Sequence, residues 1–456
     1  DFKLMGGIMD ATTAKLVDYA MSVRFEDLPP GTVSACKQRI LDTLGCVAGA
    51  YDHPMSVAAR TLAGRYLMDT PATILGGTQN VAPEMAAFAN GVMLRLLDLS
   101  DTYRVTSGGH PSDVIAGVLA AAEIGTRDGK SLITAVSIAY EIYCSCCDGA
   151  DLNAQGWDQP VYGVVSVALA AGKLMGLDRE QMGHAAALAL TPNMAMFQTR
   201  QGELSNWKGC AGANASRNGV FAAILAQSRF SGPSAAIEGK FGLWENTGRF
   251  EWPLDVGKPP YRIGRTDIKC FPVCYHGQSA VWATLGLRDG LSVDDIASIH
   301  VDTYGIAKGM MANAPSRWSP ETAESADHSL PYVVSLAVVD GTIDVGSFTK
   351  ARLQDPQLSA LMQRITVDET DDMNALYPDA APSRVTVRFK DGTTTQNEIR
   401  YPKGHHEAPL SSTEVEEKFR SQFRPYRDDA KADAMIELIG RLDAVEDIDD
   451  VFAAFA

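Results

Sequence analysis

The residues of this chain best suited to chemistry begin with two carboxylates, a hydroxyl and a histidine that lie close together in the sequence. Asp98 and Thr102 are four residues apart, so one helical turn would place them on the same face, with Asp101 beside them. Pro111 fixes the backbone after His110, and the two glycines before it let another group approach closely. A histidine on such a loop can exchange protons near neutral pH. This predicts an acid–base site, with capping aspartates and a turn histidine as the alternative.

A second group, at residues 198–209, offers cations for an anionic ligand. Arg200 precedes a loop that includes Glu203, and Lys208 follows at the predicted start of an apolar helix. A lysine that points inward there can hold a substrate carboxylate, as can the free N–H groups of the helix N-terminus. The alternative is a solvated loop with a surface lysine.

Two further groups lie later in the chain. Lys269 and His276 flank a turn that Pro272 stiffens, so both side chains could face a cleft between domains. The alternative is a boundary loop whose lysine and histidine face water. The polar run 324–332 opens an apolar helix, and we interpret its His328 as a histidine satisfied at the start of that helix.

Almost the whole chain from about residue 12 to residue 232 is predicted to be helical. The most apolar segments are rich in alanine, and polar breaks separate them. They are Ser112–Ile124, Leu132–Cys147, Val164–Leu174, Arg179–Leu190 and Ala211–Gln227. Helices that are apolar nearly all round belong inside a bundle.

The pattern changes near Tyr261. Strand-like segments follow at 299–304, 365–367, 384–389 and 395–401. Asp391-Gly392 predicts a hairpin turn between the last two. We predict a mainly α protein, with a large helical domain at 9–261 and 405–456 and a smaller α+β domain at 262–404. A cleft between two domains is a favoured place for a small-molecule site.

Composition narrows the class of protein. The chain has 456 residues, enough for two domains, and its formal net charge of −16 argues against a broad nucleic-acid surface, which needs a basic face. No segment reaches the roughly 18 uninterrupted apolar residues of a membrane span, and the N-terminus lacks a signal-peptide core. We expect a cytoplasmic protein with no membrane or nucleic-acid partner, and we expect Met9 to be its natural start.

Motifs for cofactors fail on inspection. Cys144 and Cys147 have a spacing that an iron–sulfur hydro-lyase would need, but they lie in a predicted helix and are better interpreted as packing residues. Segment 125–131 is one residue short of a phosphate-binding loop, and no Gly-x-Gly-x-x-Gly follows a strand. The pair His405-His406 looks exposed and lacks zinc-type ligand spacing. We expect no cofactor and no metal.

Several of these motifs together resemble the MmgE/PrpD family, which includes 2-methylcitrate dehydratases, cis-aconitate decarboxylase and iminodisuccinate epimerase. The resemblance covers nearly the whole chain and follows the family's order of motifs. The motifs are Leu41–Gly45, Asp98–Thr102, Gly109–Asp113, Trp207–Gly209, Lys269–Gln278 and Glu324–Tyr332.

The resemblance implies a fold and a site. It implies an all-helical larger domain, a smaller α+β lid domain, usually a homodimer, and small di- or tricarboxylate substrates handled without an organic cofactor or metal. The residues that it implies between the domains are Asp98, Thr102, His110, Lys208, Lys269 and His276. As candidate substrate-binding side chains we add Gln159, Arg200, Tyr275 and Gln278.

One position departs from the family pattern. Many members carry a histidine in the segment that aligns with 156–160, where the best match here is Gln159, which cannot transfer protons as histidine does. The exact substrate and reaction therefore stay open.

Our leading hypothesis is a cofactor-independent hydro-lyase that acts on a polycarboxylate resembling 2-methylcitrate. His110, oriented by Asp98 and Thr102, would be the base and His276 the acid, or the reverse. The alternatives are an epimerase of an iminodisuccinate-like dicarboxylate, a cis-aconitate-type decarboxylase, and a non-catalytic carboxylate-binding protein.

Overall fold

The two largest hydrophobic cores among the described residues divide the protein into two regions. The computed structural model describes residues 9–69, 72–105, 107–202 and 204–456, so the residues before Met9 and Glu203 of the second motif lie outside the described residues. The larger core draws on residues between Leu16 and Ile268 and returns at Val415–Phe455. The second core draws on residues between Phe271 and Val387. We call residues 9–268 and 412–456 the helical region and residues 271–399 the α+β region.

In the part of the helical region that the structure describes, ten α-helices and one short β-ribbon come first. The helices are α1 (Ala11–Ser22), α2 (Pro30–Gly49), α3 (Pro54–Ala63), α4 (Pro83–Arg95), α5 (Asp113–Ile124), α6 (Gly129–Gly149), α7 (Pro160–Leu174), α8 (Arg179–Leu190), α9 (Trp207–Gln227) and α10 (Leu243–Thr247). The ribbon pairs β1 (Tyr103–Arg104) with β2 (Gly108–Gly109). Proline opens four of these helices, where its missing N–H has no helical partner to lose.

Small residues let the buried helices approach closely around α9. A Cβ at Gly91 of α4 would lie 2.9 Å from the Ala213 backbone of α9, and a Cβ at Gly219 would lie 2.8 Å from the Val164 carbonyl of α7. Such contacts require glycine, and they fix α9 between α4 and α7. The start of α9, which carries Lys208, is thereby held in the interior.

The α+β region wraps short helices around a four-stranded sheet. Its strands are β3 (Ile296–Thr303), β4 (Ile365–Glu369), β5 (Ser383–Phe389) and β6 (Thr394–Ile399), in the order β4-β3-β5-β6. Only the β3–β4 pair is parallel. Its helices are α11 (Gln278–Leu285), α12 (Gly305–Met311), α13 (Pro315–Trp318), α14 (Ala323–Ala326), α15 (Leu330–Val339), α16 (Lys350–Leu353), α17 (Pro356–Met362) and α18 (Asp371–Asn374).

The chain then returns to the helical region. Helices α19 (Ser412–Phe423), α20 (Asp429–Gly440) and α21 (Asp449–Phe455) follow the sheet, and Phe419, Phe423 and Phe455 pack in the larger core. No helix among the described residues is long and apolar enough to cross a membrane.

The predicted fold class, mainly α with a smaller α+β part, is confirmed. The Asp391-Gly392 hairpin is also present, with Gly392 at φ 89°. The predicted domain limits stay a prediction; Ile263 and Ile268 pack in the larger core, and Phe271 is the first residue of the second. The helical turn expected over Asp98–Thr102 is wrong, because α4 ends at Arg95 and Asp98 has a φ of 49°.

Candidate active site

A cavity of about 60 Å³ lies between the helical region and the α+β region. Its lining includes most of the side chains that the sequence singled out. They are Asp98, His110, Gln159, Arg200, Lys208, Lys269 and Tyr275, together with Arg95, Arg104, Asn153, Asp158, Cys274 and His328.

Asp98 is the anionic centre of this cavity. Its left-handed backbone, which aspartate tolerates better than most residues, directs a buried carboxylate toward three cations. Lys269 Nζ lies 2.7 Å from both its Oδ1 and its main-chain oxygen, and Lys208 Nζ lies 3.4 Å from Oδ2. Burial raises the pKa of Asp98, but Lys208, Lys269 and Arg95 outweigh it and hold the pKa well below its usual range. The carboxylate stays ionised.

The two lysines differ in their surroundings. Lys208, at the first turn of α9, also lies 2.8 Å from Asp327 Oδ2 and is only 4% exposed. Lys269 has Asp98 as its single carboxylate partner among the described residues. Burial lowers the pKa of Lys269 to about 8, although Asp98 opposes that shift. Lys269 therefore loses its proton more easily than an ordinary lysine does.

His110 is held as a neutral imidazole. Its Nδ1 lies 2.8 Å from the main-chain oxygen of Asp101, and because a carbonyl can only accept, Nδ1 carries the proton. Burial and the nearby Arg95 and Lys269 cations lower its pKa well below the ordinary value. The neutral ring then has Nε2 as its proton acceptor.

The loop that carries His110 is fixed from α6 and α7. The His110 N–H donates to Gln159 Oε1 at 2.6 Å and to the Tyr143 hydroxyl at 3.0 Å. A Cβ at Gly109 would lie 2.2 Å from that same amide oxygen, so glycine is required for the close approach. Gln159 therefore positions the backbone of His110 as well as lining the cavity.

The α+β region contributes a second imidazole to the cavity, with a different partner. His328 Nδ1 contacts the Asp327 carboxylate and lies 3.2 Å from Lys208 Nζ. Burial lowers the pKa of His328, yet Cys274 and Asp327 raise it above its ordinary value. Burial likewise raises the pKa of the Cys274 thiol, but His328, through its charge and a hydrogen bond, lowers it to about 7. Asp327 therefore favours a charged His328.

Three guanidinium nitrogens around the cavity have no hydrogen-bond partner among the described residues. They are Arg95 Nε, Arg104 Nε and Arg200 Nη2, all buried. Arg200 uses its Nε on Asp158 at 3.2 Å and its Nη1 on the Lys208 carbonyl, which leaves Nη2 available. Buried donors without partners are costly, so this cavity is built to receive an anion or another acceptor.

Three predicted site residues lie outside the cavity lining. The Thr102 hydroxyl donates to the Gly109 carbonyl, and the Gln278 amide bonds the turn at 270–273. His276 Nδ1 contacts the Tyr304 hydroxyl, and its Nε2 is buried without a partner among the described residues. Asp101, rather than Asp98 or Thr102, bonds the His110 ring.

Two groups of side chains have the composition of a metal site. One is Asp98, Asp327 and His328, but the Lys208 ammonium contacts all three and occupies the position of a cation. The other is Asp267, His405 and His406. His405 is 3% exposed, so the expectation of an exposed pair is wrong, and His406 Nδ1 contacts Asp267 at 2.8 Å.

The cysteines do not form a candidate metal-binding group among the described residues. Neither of those two groups contains one, and burial raises the pKa of Cys144 and Cys146 within α6 well above the ordinary value. Protonated thiols inside a helix core match packing residues rather than cluster ligands.

Sequence reasoning missed Arg104 and Cys274 and interpreted His328 as structural. Arg104 lies in a two-residue strand with no motif of its own. For His328, the only available signal was its place in the polar run beside Asp327. Whether His276 or His328 reaches the cavity depends on tertiary packing, which the spacing of residues in the sequence does not reveal.

The fold and the site define a protein with two regions and a cation-rich cavity between them. Comparison with known families shows which family the chain belongs to. The family profile described as MmgE/PrpD N-terminal domain matches residues 14–249, and the MmgE/PrpD C-terminal domain matches residues 271–444. The chain belongs to the MmgE/PrpD family, which confirms the resemblance predicted from its motifs.

Individual relatives are similar along most of their length. The 2-methylcitrate dehydratase of Escherichia coli (strain K12) is 27% identical over 87% of this chain and 86% of its own. The 2-methylcitrate dehydratase of Cupriavidus necator is 27% identical with the same coverage. The cis-aconitate decarboxylase of Aspergillus terreus is 22% identical over 96% of this chain and 94% of its own. The chain is thus related to lyases of small carboxylates.

Proposed function

We propose that this protein is a hydro-lyase that removes water from a small polycarboxylate resembling 2-methylcitrate. The observation that carries the proposal is the pair of buried ammonium groups, Lys208 and Lys269, on one carboxylate beside the neutral His110. The relatives named 2-methylcitrate dehydratase support the reaction, and those named cis-aconitate decarboxylase support the substrate class.

Lys208 and Lys269 would bind substrate carboxylates and stabilise the charge that develops when a neighbouring carbon loses its proton. Both are held by carboxylates before substrate arrives, so little reorganisation is needed during the reaction. A well-placed donor of this kind contributes about 3–4 kcal/mol to stabilising the transition state. The unpaired guanidinium nitrogens would add contacts to the remaining carboxylate oxygens.

His110 would be the general base. Its Nε2 accepts the proton from the carbon atom, while the Asp101 carbonyl holds the ring in the required tautomer. The electron pair of the broken C–H bond forms the carbon–carbon double bond as the hydroxyl departs.

We propose His328 as the acid that protonates the departing hydroxyl, which leaves as water. It lines the same cavity as His110, and Asp327 supports its charged form. His276, the acid expected from the sequence, lies outside the lining, with Nδ1 on Tyr304.

An epimerase is the second candidate. Proton donors and acceptors on opposite walls would suit removal and return of a proton on two faces of a dicarboxylate, with no loss of water. The homodimer and the cytoplasmic location remain predictions, as does a reaction without cofactor.

A substrate panel in deuterated water tests the proposal. We expect 2-methylcitrate or a close analogue to lose water and gain the ultraviolet absorbance of an unsaturated acid. Exchange of the α-hydrogen without an alkene would favour the epimerase, and release of carbon dioxide the decarboxylase. Binding of every acid, seen as a higher melting temperature, without conversion of any would contradict an enzyme.

A further inference from the structure

Among the described residues, Arg104 is the arginine or lysine of the cavity lining that has no carboxylate partner. Arg95 contacts Asp98, Arg200 contacts Asp158, Lys208 contacts Asp327 and Lys269 contacts Asp98. Among the residues that the structure describes, no carboxylate lies within ion-pair distance of the Arg104 guanidinium, and its Nε is buried with no hydrogen-bond partner.

The ribbon that carries Arg104 holds the guanidinium in place. Arg104 of β1 pairs with Gly108 of β2, and a Cβ at Gly108 would lie 2.6 Å from Arg104 Cδ and 2.9 Å from its Nη1. The side chain therefore lies across the glycine, in a space that any larger residue would fill. The same ribbon leads directly into His110.

Among the described residues, the surroundings of Arg104 provide acceptors, aromatic rings and the Cys274 thiol, but no carboxylate within ion-pair distance. The ionisable groups with the largest influence on it are Tyr377, Cys274, Tyr304 and Tyr275. Asn153 also lines the cavity, and its Oδ1 is buried without a partner. A carboxylate on Arg104 and a hydroxyl on Asn153 would satisfy both orphaned groups.

We propose that Arg104 binds a substrate carboxylate additional to those held by Lys208 and Lys269, and so selects tricarboxylates over dicarboxylates. The proposal rests on the polycarboxylate substrate class argued above and specifies it further. A guanidinium suits this task because its planar N–H groups match the two oxygens of a carboxylate.

Two unreactive probes test this selection without any turnover. Propane-1,2,3-tricarboxylate and glutarate share a five-carbon backbone and differ by the middle carboxylate, and neither carries a hydroxyl to eliminate. Calorimetry should give about 10- to 100-fold tighter binding of the tricarboxylate to the wild-type protein, as expected for one charged hydrogen-bonded contact.

The variants separate charge from geometry. Arg104→Gln should lose most of the preference while glutarate binding changes little, and Arg104→Lys should keep part of it. Arg265→Gln removes the same charge from an exposed position and should leave the preference unchanged. Melting temperatures of all variants check that each is folded.

Two results would overturn the proposal, and they differ. If Arg104→Gln binds both probes and keeps the wild-type preference, Arg104 does not select the third carboxylate. If the folded wild-type protein binds neither probe, the polycarboxylate site itself is wrong.

Discussion

Each wall of the cavity carries a histidine, and the pKa values of the two histidines are shifted in opposite directions. On the helical-region wall, His110 donates to a main-chain carbonyl and its pKa falls well below the ordinary value. On the α+β wall, His328 contacts the Asp327 carboxylate and its pKa rises. Burial disfavours the charged form on both walls, so the neighbouring groups make the difference. Arg95 and Lys269 lower the pKa of His110 further, whereas Cys274 and Asp327 raise that of His328.

This contrast teaches how one cavity can hold a base and an acid together. A carbonyl fixes the tautomer of a neutral ring, whereas a carboxylate stabilises an imidazolium. Pairs of titratable groups whose surroundings push their pKa values apart are suited to proton transfer in opposite directions. The predictions below test whether the two walls differ in this way.

The largest effect is expected from removing the neutral imidazole. His110→Asn should lower kcat by about 10²- to 10⁴-fold, because the proposed general base is then missing. Initial rates on the substrate found in the panel measure it, with an unchanged melting temperature. His300→Asn, on an exposed histidine of β3, is the control and should retain wild-type turnover. Wild-type turnover in His110→Asn would remove the base from this wall.

A smaller effect is expected from the charge on Lys269. Since the pKa of Lys269 is about 8, the lysine is charged below that pH and neutral above it, so kcat/KM should fall as pH rises through about 8. Lys269→Arg keeps the charge and should move that fall to higher pH, whatever its cost in absolute rate. Lys418→Arg alters a partly buried lysine paired with Asp42 outside the cavity and should leave the profile unchanged. A profile that Lys269→Arg does not move would show that another group limits it.

The smallest effect is expected at Cys274, which reports the charge on the α+β wall. His328→Asn should raise the thiol pKa above its value of about 7, while His110→Asn should leave it unchanged. The pH dependence of alkylation, followed by peptide mass spectrometry, measures the thiol. Cys270, with a pKa raised by burial to about 11, is the internal control. An equal shift in both histidine variants would mean that the walls do not differ.

Much of the fold could be predicted because its signals are local. The apolar, alanine-rich pattern over Arg179–Leu190 marks α8 with the limits that the structure has, and Asp391-Gly392 marks the β5–β6 turn. The region near Asp98 could not be predicted as well. The four-residue spacing is typical of a helix, but α4 ends at Arg95. Asp98 then adopts a left-handed conformation that no residue pattern predicted.

Site residues could be predicted where local structure sets the direction of the side chain. They could not be predicted where tertiary packing sets it. Lys208 lies at the start of a buried helix, so its inward direction followed from the sequence. His276 and His328 both precede helices of the α+β region, but His276 contacts Tyr304 outside the cavity lining, whereas His328 lines the cavity. Arg104 could not be predicted, because the lack of a hydrogen-bond partner for its Nε is a property of the folded structure.

Nitrogen NMR of labelled histidines tests the central claim most directly, with His110→Asn and His328→Asn to assign the two rings. His110 should remain a neutral ring with its proton on Nδ1 at pH values below about 6.5, where an ordinary histidine is charged. His328 should remain charged above that pH. Two rings that titrate together near the ordinary value, or in the reverse order, would contradict the opposite tuning of the two walls.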